Sequence, residues 1–188
     1  MKELFNNLSP SLKKRFMNVS LIALDFDGVL TDNKVVHCQD NKESICRSRG
    51  DSLAVDLLDE AGLYKKKQYK SFNHVIDLVI LSKESNQIVN SVSEKIKIKC
   101  QNSVYNKLEA LKEEAQLRTL DLKNVLFIGN DLNDFKCIEA AGVGVAVIDS
   151  YPQVLKIADY VTSNKGGNGA FREVCELVMH AKSVHPFP

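Results

Sequence analysis

No charge of one sign dominates this sequence: 25 Lys plus Arg face 24 Asp plus Glu, for a net charge of +1. That balance excludes a broad electrostatic surface for nucleic acid or anionic membrane, so any anion must be held by local groups. Paired cysteine spacing is missing as well. Cys38, Cys46, Cys100, Cys137 and Cys175 are odd in number and scattered, which fits neither a zinc site nor a redox motif and points to a reducing, cytoplasmic setting. Long apolar runs are also lacking. The first one, after Lys13-Lys14-Arg15, covers only Val19 to Leu24 and ends in carboxylates, so it reads as neither signal peptide nor membrane span. No repeat or low-complexity segment stands out. What is present is 188 residues, 44% of them hydrophobic, enough for one well-filled core and read as a single domain, 1-188.

The apolar residues come in short runs. Val19 to Leu24, Val75 to Leu81, Val125 to Ile128, Val143 to Ile148 and Tyr160-Val161-Thr162 read as buried strands, with a weaker strand at Ile96 to Cys100. Amphipathic stretches of helical length alternate with them. These are Asp51 to Ala61, with Asp51 as N-cap and Gly62 as the stop, then Asn106 to Gln116, Asp134 to Ala141 and Ala170 to Lys182. Strand alternating with helix predicts an α/β fold: a three-layer, doubly wound, mostly parallel sheet. Leu4 to Phe16 predicts an N-terminal helix within residues 1-17. Residues 29-48 break the rhythm. There Val35 to Cys38 and Ser44 to Arg47 flank a polar Gln39 to Glu43 turn, which predicts a β-hairpin flap. Lys65-Lys66-Lys67 reads as a solvated turn and His185 to Pro188 as an extended tail.

In an open parallel sheet, function collects at the carboxyl ends of the strands. The first strand ends in Asp25 and Asp27, followed by Gly28; the second main strand ends in Ser82-Lys83; Lys107 opens a helix; and Val125 to Ile128 runs into Gly129-Asn130-Asp131, with Asp134 just beyond. Singly, each has an ordinary explanation as turn chemistry, a cap or a solvated lysine. Together they form an ordered set of acids, hydroxyl, lysine and acids, each at a strand end or helix start. One chemistry uses all of them. A carboxylate attacks phosphorus to form an aspartyl-phosphate, and a second carboxylate protonates the leaving alkoxide and then activates water. Mg²⁺ offsets the repulsion between nucleophile and phosphate, and a hydroxyl and an ammonium fix the transferring oxygens.

Asp25-Phe-Asp27-Gly-Val-Leu-Thr31-Asp32 resembles the first motif of haloacid dehalogenase phosphatases, in particular the capless branch acting on 3-deoxy-D-manno-octulosonate 8-phosphate. The segments Ala158 to Thr162 and Gly166 to Glu173 are similar to that branch's carboxyl-terminal signature. Leu81 to Asn86 with Ile88-Val89 looks more like the phosphatase-type domains attached to sialic-acid cytidylyltransferases. The resemblance implies Asp25 as nucleophile and metal ligand, Asp27 as acid/base and main-chain ligand, and Ser82 and Lys107 as phosphate ligands. Gly28, Thr31, Lys83 and Arg49 join them as candidate phosphate or substrate contacts. It further implies Mg²⁺ as cofactor, a phosphorylated sugar acid as substrate, no large cap domain, and a homo-oligomer, commonly a tetramer, whose neighbour completes the pocket. Three features depart from the family pattern. Asn130 stands where an aspartate metal ligand is usual, with Asp131 or Asp134 available to compensate; Tyr64 to Asn73 is a long basic, aromatic insertion; and Ser93 replaces a frequent arginine. Arg47, Arg49, Lys83, Lys165 and Arg172 are candidates for gripping the substrate carboxylate.

Three other readings compete. A phospho-receiver module uses similar groups, but its phosphoacceptor sits apart from the acidic pair, whereas Asp25 and Asp27 share one strand. A catalytically weak domain that supports assembly of an acylneuraminate cytidylyltransferase has Asn130 in its favour. A dinucleotide-binding fold lacks the complete glycine fingerprint after a first strand. His37 near Cys38 and Cys46 is explained more simply by alternating flap faces than by a metal cluster.

Overall fold

The computed structural model describes residues 1–40, 42–70 and 75–186. It opens with two helices rather than the single one predicted over Leu4 to Phe16: Lys2–Asn7 (α1) and Pro10–Met17 (α2). Pro10 is the reason. It has no N–H to continue the helical ladder but suits the first position of a new helix, and Ser9 caps that helix by accepting the Leu12 amide at 3.2 Å.

The chain then runs Leu21–Leu24 (β1), Val35–His37 (β2), Glu43–Ile45 (β3), Arg49–Glu60 (α3), Asp77–Leu81 (β4), Gln87–Ile96 (α4), Lys99–Gln101 (β5) and Lys107–Gln116 (α5). It continues through Val125–Gly129 (β6), Phe135–Ala140 (α6), Val143–Ala146 (β7), Pro152–Ile157 (α7), Tyr160–Val161 (β8) and Ala170–Ala181 (α8). Six strands form one sheet in the order β5-β4-β1-β6-β7-β8, and every pairing is parallel.

Because successive strand residues point to opposite faces, each central strand feeds two cores. Ile22, Leu24, Ile80, Leu126 and Ile128 pack with α3, α4 and α8 on one face. Leu21, Ala23, Val79, Leu81 and Phe127 pack with α5, α6 and α7 on the other. The three-layer, doubly wound architecture follows. Among the described residues, no helix is long and apolar enough to cross a membrane.

Several expectations are refined. Helix α3 is capped by Ser48, which accepts the Gly50 amide at 3.0 Å. Asp51, predicted as the cap, is instead wholly buried and accepts the Gly169 and Arg172 amides at 3.1 and 3.0 Å. The helix stops at Ala61 with Gly62 at φ +73°, as the glycine predicted. The Ile96 to Cys100 run starts its strand only at Lys99, because Ile96 still ends α4 and Lys97 turns left-handed. The flap is the antiparallel pair β2/β3, with Val36 opposite Ser44; Asn41 of its turn lies outside the described residues, as do 71–73 of the basic insertion and 187–188 of the tail. Within the insertion, Tyr64 is buried and its hydroxyl donates to the Lys97 carbonyl at 2.7 Å.

Helix α5, which carries Lys107, is anchored from its far end by buried charge. Arg118 donates to Asp77 at the start of β4 and lies 2.5 Å from Glu114, while Lys99 Nζ lies 2.8 Å from Glu114. Removing one partner of such a network leaves buried charge uncompensated. Arg118→Met is expected to destabilise the fold by about 3–5 kcal/mol, read from urea unfolding with an unchanged m-value.

Candidate active site

Strands β4, β1 and β6 are neighbours, so their carboxyl ends bring Ser82, Asp25 and Asn130 side by side. The Asp25 amide still donates to the Ile128 carbonyl at 2.9 Å, which fixes its backbone to β6 just before the chain turns away. Its Oδ1 accepts the Phe26 amide at 2.6 Å, and its Oδ2 lies 2.6 Å from Lys107 Nζ. The same ammonium lies 2.8 Å from Asp134 Oδ1. Asp25, Lys107 and Asp134 are 5%, 3% and 0% exposed, so the site holds two carboxylates and one ammonium out of water.

The electrostatic consequence is direct. Burial, together with the negative charge of Asp134, pushes the Asp25 carboxyl up to about 8 against the opposing pull of Lys107. Burial alone would lower Lys107, but the two carboxylates outweigh it and its ammonium is held above the usual range. Asp27 is also shifted upward, first by burial and then by the charge of Glu84, although the Thr31 hydroxyl bonds its Oδ1 at 3.4 Å.

Two cavities open here. The first, of about 300 Å³, is lined by Asp25, Asp27, Ser82, Lys83, Asn130 and Asp131 of the predicted set, and by Asn33, Glu84 and Asn133, which sequence reasoning missed. A second, of about 330 Å³, lies between the flap and the start of α4 and shares Asp27, Asn33 and Glu84 with the first. Its flap side is pinned where Asn86, the N-cap of α4, donates to Glu43. Glu84 had a sequence signal, since it follows Ser82-Lys83 at the same strand end. Asn33 had none beyond its place in the turn, where it adopts φ +62°.

Five predicted residues do not line the first cavity: Lys107 is buried between Asp25 and Asp134, and four others do other work. Asp134 does not face the first cavity: its Oδ2 accepts the Asn130 and Asp131 amides at 3.0 and 3.4 Å and its Oδ1 meets Lys107, so it holds the ligand loop rather than a cation. Thr31 is 1% exposed, and its hydroxyl accepts the Gly28 and Asn33 amides at 3.1 and 3.3 Å, which consumes it within its own loop. Gly28 serves by its missing side chain, because a Cβ there would lie 2.0 Å from Asn130 Nδ2. Arg49 is exposed at the start of α3 and lines neither cavity. Of the other basic candidates, Arg172 pairs with Glu176 at 2.6 Å and Lys165 is exposed, while Arg47 is held near Asp51 with Nη1 buried. Lys83 alone of these lines the first cavity.

The model of the haloacid dehalogenase-like hydrolases matches residues 64–173. The chain belongs to that family. Curated 3-deoxy-D-manno-octulosonate 8-phosphate phosphatases of Escherichia coli K12 and Salmonella typhimurium are similar to it throughout. The first is 30% identical over 88% of this chain and 81% of its own length, the second 29% over 95% and 88%. The crystal structure of the Moraxella catarrhalis phosphatase of that name, in complex with magnesium, phosphate and KDO, superposes with a TM-score of 0.81 at 28% identity, covering 92% of each chain. The Yersinia pestis phosphatase superposes at 0.83 with 26% identity, covering 94% of this chain and 89% of that one. Family membership decides against the receiver and dinucleotide-binding readings.

The donor set fits a divalent cation. Asp25 and Asn130 offer oxygen ligands from adjacent strand ends in one cavity, and the buried cluster is short of one positive charge. Without a cation, burial and the charge of Asp134 raise the Asp25 carboxyl against the pull of Lys107, so cation binding and protonation compete for the same carboxylate. Titration with Mg²⁺ is expected to release protons, measured by calorimetry in buffers of different ionisation enthalpy, with binding tightening as pH rises. Asp25→Asn abolishes the release.

Proposed function

We propose that this haloacid dehalogenase-like hydrolase is a Mg²⁺-dependent phosphatase. Its substrate is a sugar-acid phosphate, 3-deoxy-D-manno-octulosonate 8-phosphate or a nonulosonate 9-phosphate, and its intermediate an aspartyl-phosphate. The observation that carries this is the buried Asp25 carboxylate, held against Lys107 at the floor of a cavity whose walls include Ser82 and Asp27. The relatives' names supply the substrate class.

Mg²⁺ would be held by the Asp25 carboxylate, the Asp27 main-chain carbonyl and the Asn130 side-chain oxygen. When bound, it neutralises phosphoryl oxygens and relieves repulsion between Asp25 and the incoming phosphate. Asp25 attacks phosphorus while the bond to the leaving oxygen breaks, and Asp27 gives that oxygen its proton. Burial and the charge of Glu84 shift Asp27 upward, which favours the protonated form that the step requires. Asp27 then takes a proton from water as the water attacks the aspartyl-phosphate, and inorganic phosphate departs. The Ser82 hydroxyl and the Lys107 ammonium hold the transferring oxygens, and Asp134 keeps Lys107 in place. The second cavity receives the polyol, with Glu43, Glu84 and Asn86 as hydroxyl partners, and Lys83 of the first cavity is the cation offered to a substrate carboxylate.

The two-stranded flap lines the second cavity, and Val35 and Val36 of that flap are 46% and 61% exposed. A homo-oligomer, as a tetramer, would cover them. The reading as a catalytically weak support domain keeps only Asn130 in its favour, and an amide oxygen still ligates Mg²⁺.

Phosphate release from the octulosonate and nonulosonate phosphates is expected to require Mg²⁺ and to vanish with EDTA. Asp25→Asn should lower kcat at least about 10³-fold, because the nucleophile is gone. A variant that releases phosphate at the normal rate would sink the mechanism.

A further inference from the structure

The glycine-rich stretch between β8 and α8 lines neither cavity, yet its backbone is tied to several distant elements. Three carboxylates from different elements grip its backbone. Glu173, 1% exposed, accepts the Tyr160 hydroxyl and the Ser163 amide on one oxygen (2.6 and 2.8 Å) and the Asn164 amide and side chain on the other (3.0 and 2.7 Å). Asp149 accepts the Gly166 amide at 3.1 Å, and Asp51 the Gly169 amide at 3.1 Å.

So gripped, the stretch presses on the loop that follows Asp25. The Gly167 amide donates to the Val29 carbonyl at 2.9 Å. A Cβ on Gly166 would lie 1.9 Å from the Gly28 carbonyl oxygen, and one on Gly167 would lie 2.4 Å from the Thr31 carbonyl carbon. No side chain fits between the two backbones. Gly167 also sits at φ +64°, where an L side chain is strained. On the far side of that contact, the Thr31 hydroxyl joins the Gly28 amide to the Asp27 carboxylate.

We propose that segment 163–169, anchored by Glu173, Asp149 and Asp51, is a backbone clamp that sets the position of Asp27 through Gly28 and Thr31. Its members are positioning residues, since none lines the cavity that holds Asp25. The inference rests on Asp27 being the proton donor to the leaving group. A displaced donor penalises an ester whose leaving alcohol needs a proton and spares one whose leaving group departs as a stable anion. A purely structural role of the loop would slow both alike.

The test is steady-state kinetics on 3-deoxy-D-manno-octulosonate 8-phosphate and on p-nitrophenyl phosphate, alongside thermal melting. Gly167→Ala is expected to lower kcat on the sugar ester at least about tenfold more than on the nitrophenyl ester, with KM moved less than about threefold. Asp149→Ala should do the same more weakly, and Asp149→Asn, which retains an acceptor for the Gly166 amide, should restore the wild-type ratio. Gly62→Ala is the matched control: it too has a positive φ, +73°, but a Cβ there meets nothing within 4 Å. It should lower the melting temperature and leave both rates unchanged. If Gly167→Ala does not fold, the Asp149 pair decides. Should Asp27→Asn discriminate between the esters while Gly167→Ala and Asp149→Ala do not, the clamp is refuted. Should the wild-type chain cleave neither ester, or Asp27→Asn slow both equally, the catalytic reading falls first and this inference with it.

Discussion

Two buried carboxylates share one ammonium in this protein, and much of the surrounding structure exists to make that tolerable. At separations near 2.7 Å in a poorly solvated site, Coulomb energies are several times those at the surface. A charge left without a partner there is costly, which is why the triad of Asp25, Lys107 and Asp134 is held from every side. The Lys107 end is fixed by helix α5, itself tied to the sheet through Glu114, Arg118 and Asp77. The Asp134 end is fixed by the two amides it accepts from the loop after β6. The Asp25 end is fixed by the ladder of β1 and by the Phe26 amide. What the triad lacks is a second positive charge, and the cavity above Asp25 is where one can enter.

The fold delivers these groups by strand order rather than by sequence proximity. Asp25, Ser82 and Asn130 are separated by more than forty residues at each step, yet they end three adjacent parallel strands. Parallel pairing makes their neighbourhood a consequence of register, since Leu24 stands level with both Ile80 and Ile128. The close approach of backbones at Gly28 lets the Asn130 side chain lie directly over the turn. Flap and glycine-rich loop both meet the segment around that turn. The flap lines the second cavity, and the loop packs its backbone against Gly28 and Thr31.

Periodicity and strand-end chemistry made the layers and the core of the site legible in the sequence. Short apolar runs bounded by turn residues mark the central strands buried on both faces, though the weaker Ile96 to Cys100 run began as the end of a helix, and acids, hydroxyls and lysine at strand ends have no packing reason to recur. What escaped was whatever depends on where a side chain turns after its backbone is placed. Asp51 looked like a cap for its own helix because caps are local, whereas its actual partners, the Gly169 and Arg172 amides, lie more than a hundred residues away. Asp134 and Thr31 looked like ligands because they sit beside ligands in sequence, but each is used up by neighbouring amides. Glu84, Asn33 and Asn133 were overlooked for the converse reason: ordinary turn residues in sequence, they become cavity walls only once the flap and the β6 loop are folded.

The asparagine at position 130 takes on a meaning from this charge arithmetic that the motif comparison alone does not give it. An aspartate there would place another carboxylate beside a cluster that already has two acids to one ammonium, and without a cation its charge would push Asp25 further toward its neutral form. Asn130 keeps an oxygen at the same point, 5% exposed, while adding no charge. The cation-free site is therefore less self-repulsive, and the attraction for a cation is weaker by one charge. In the proposed site the charge that attracts the cation is then that of the Asp25 carboxylate, and cation binding competes with its protonation. The buried Lys107 enters the same competition: by favouring the ionised Asp25 it helps determine how readily a cation binds in the proposed site.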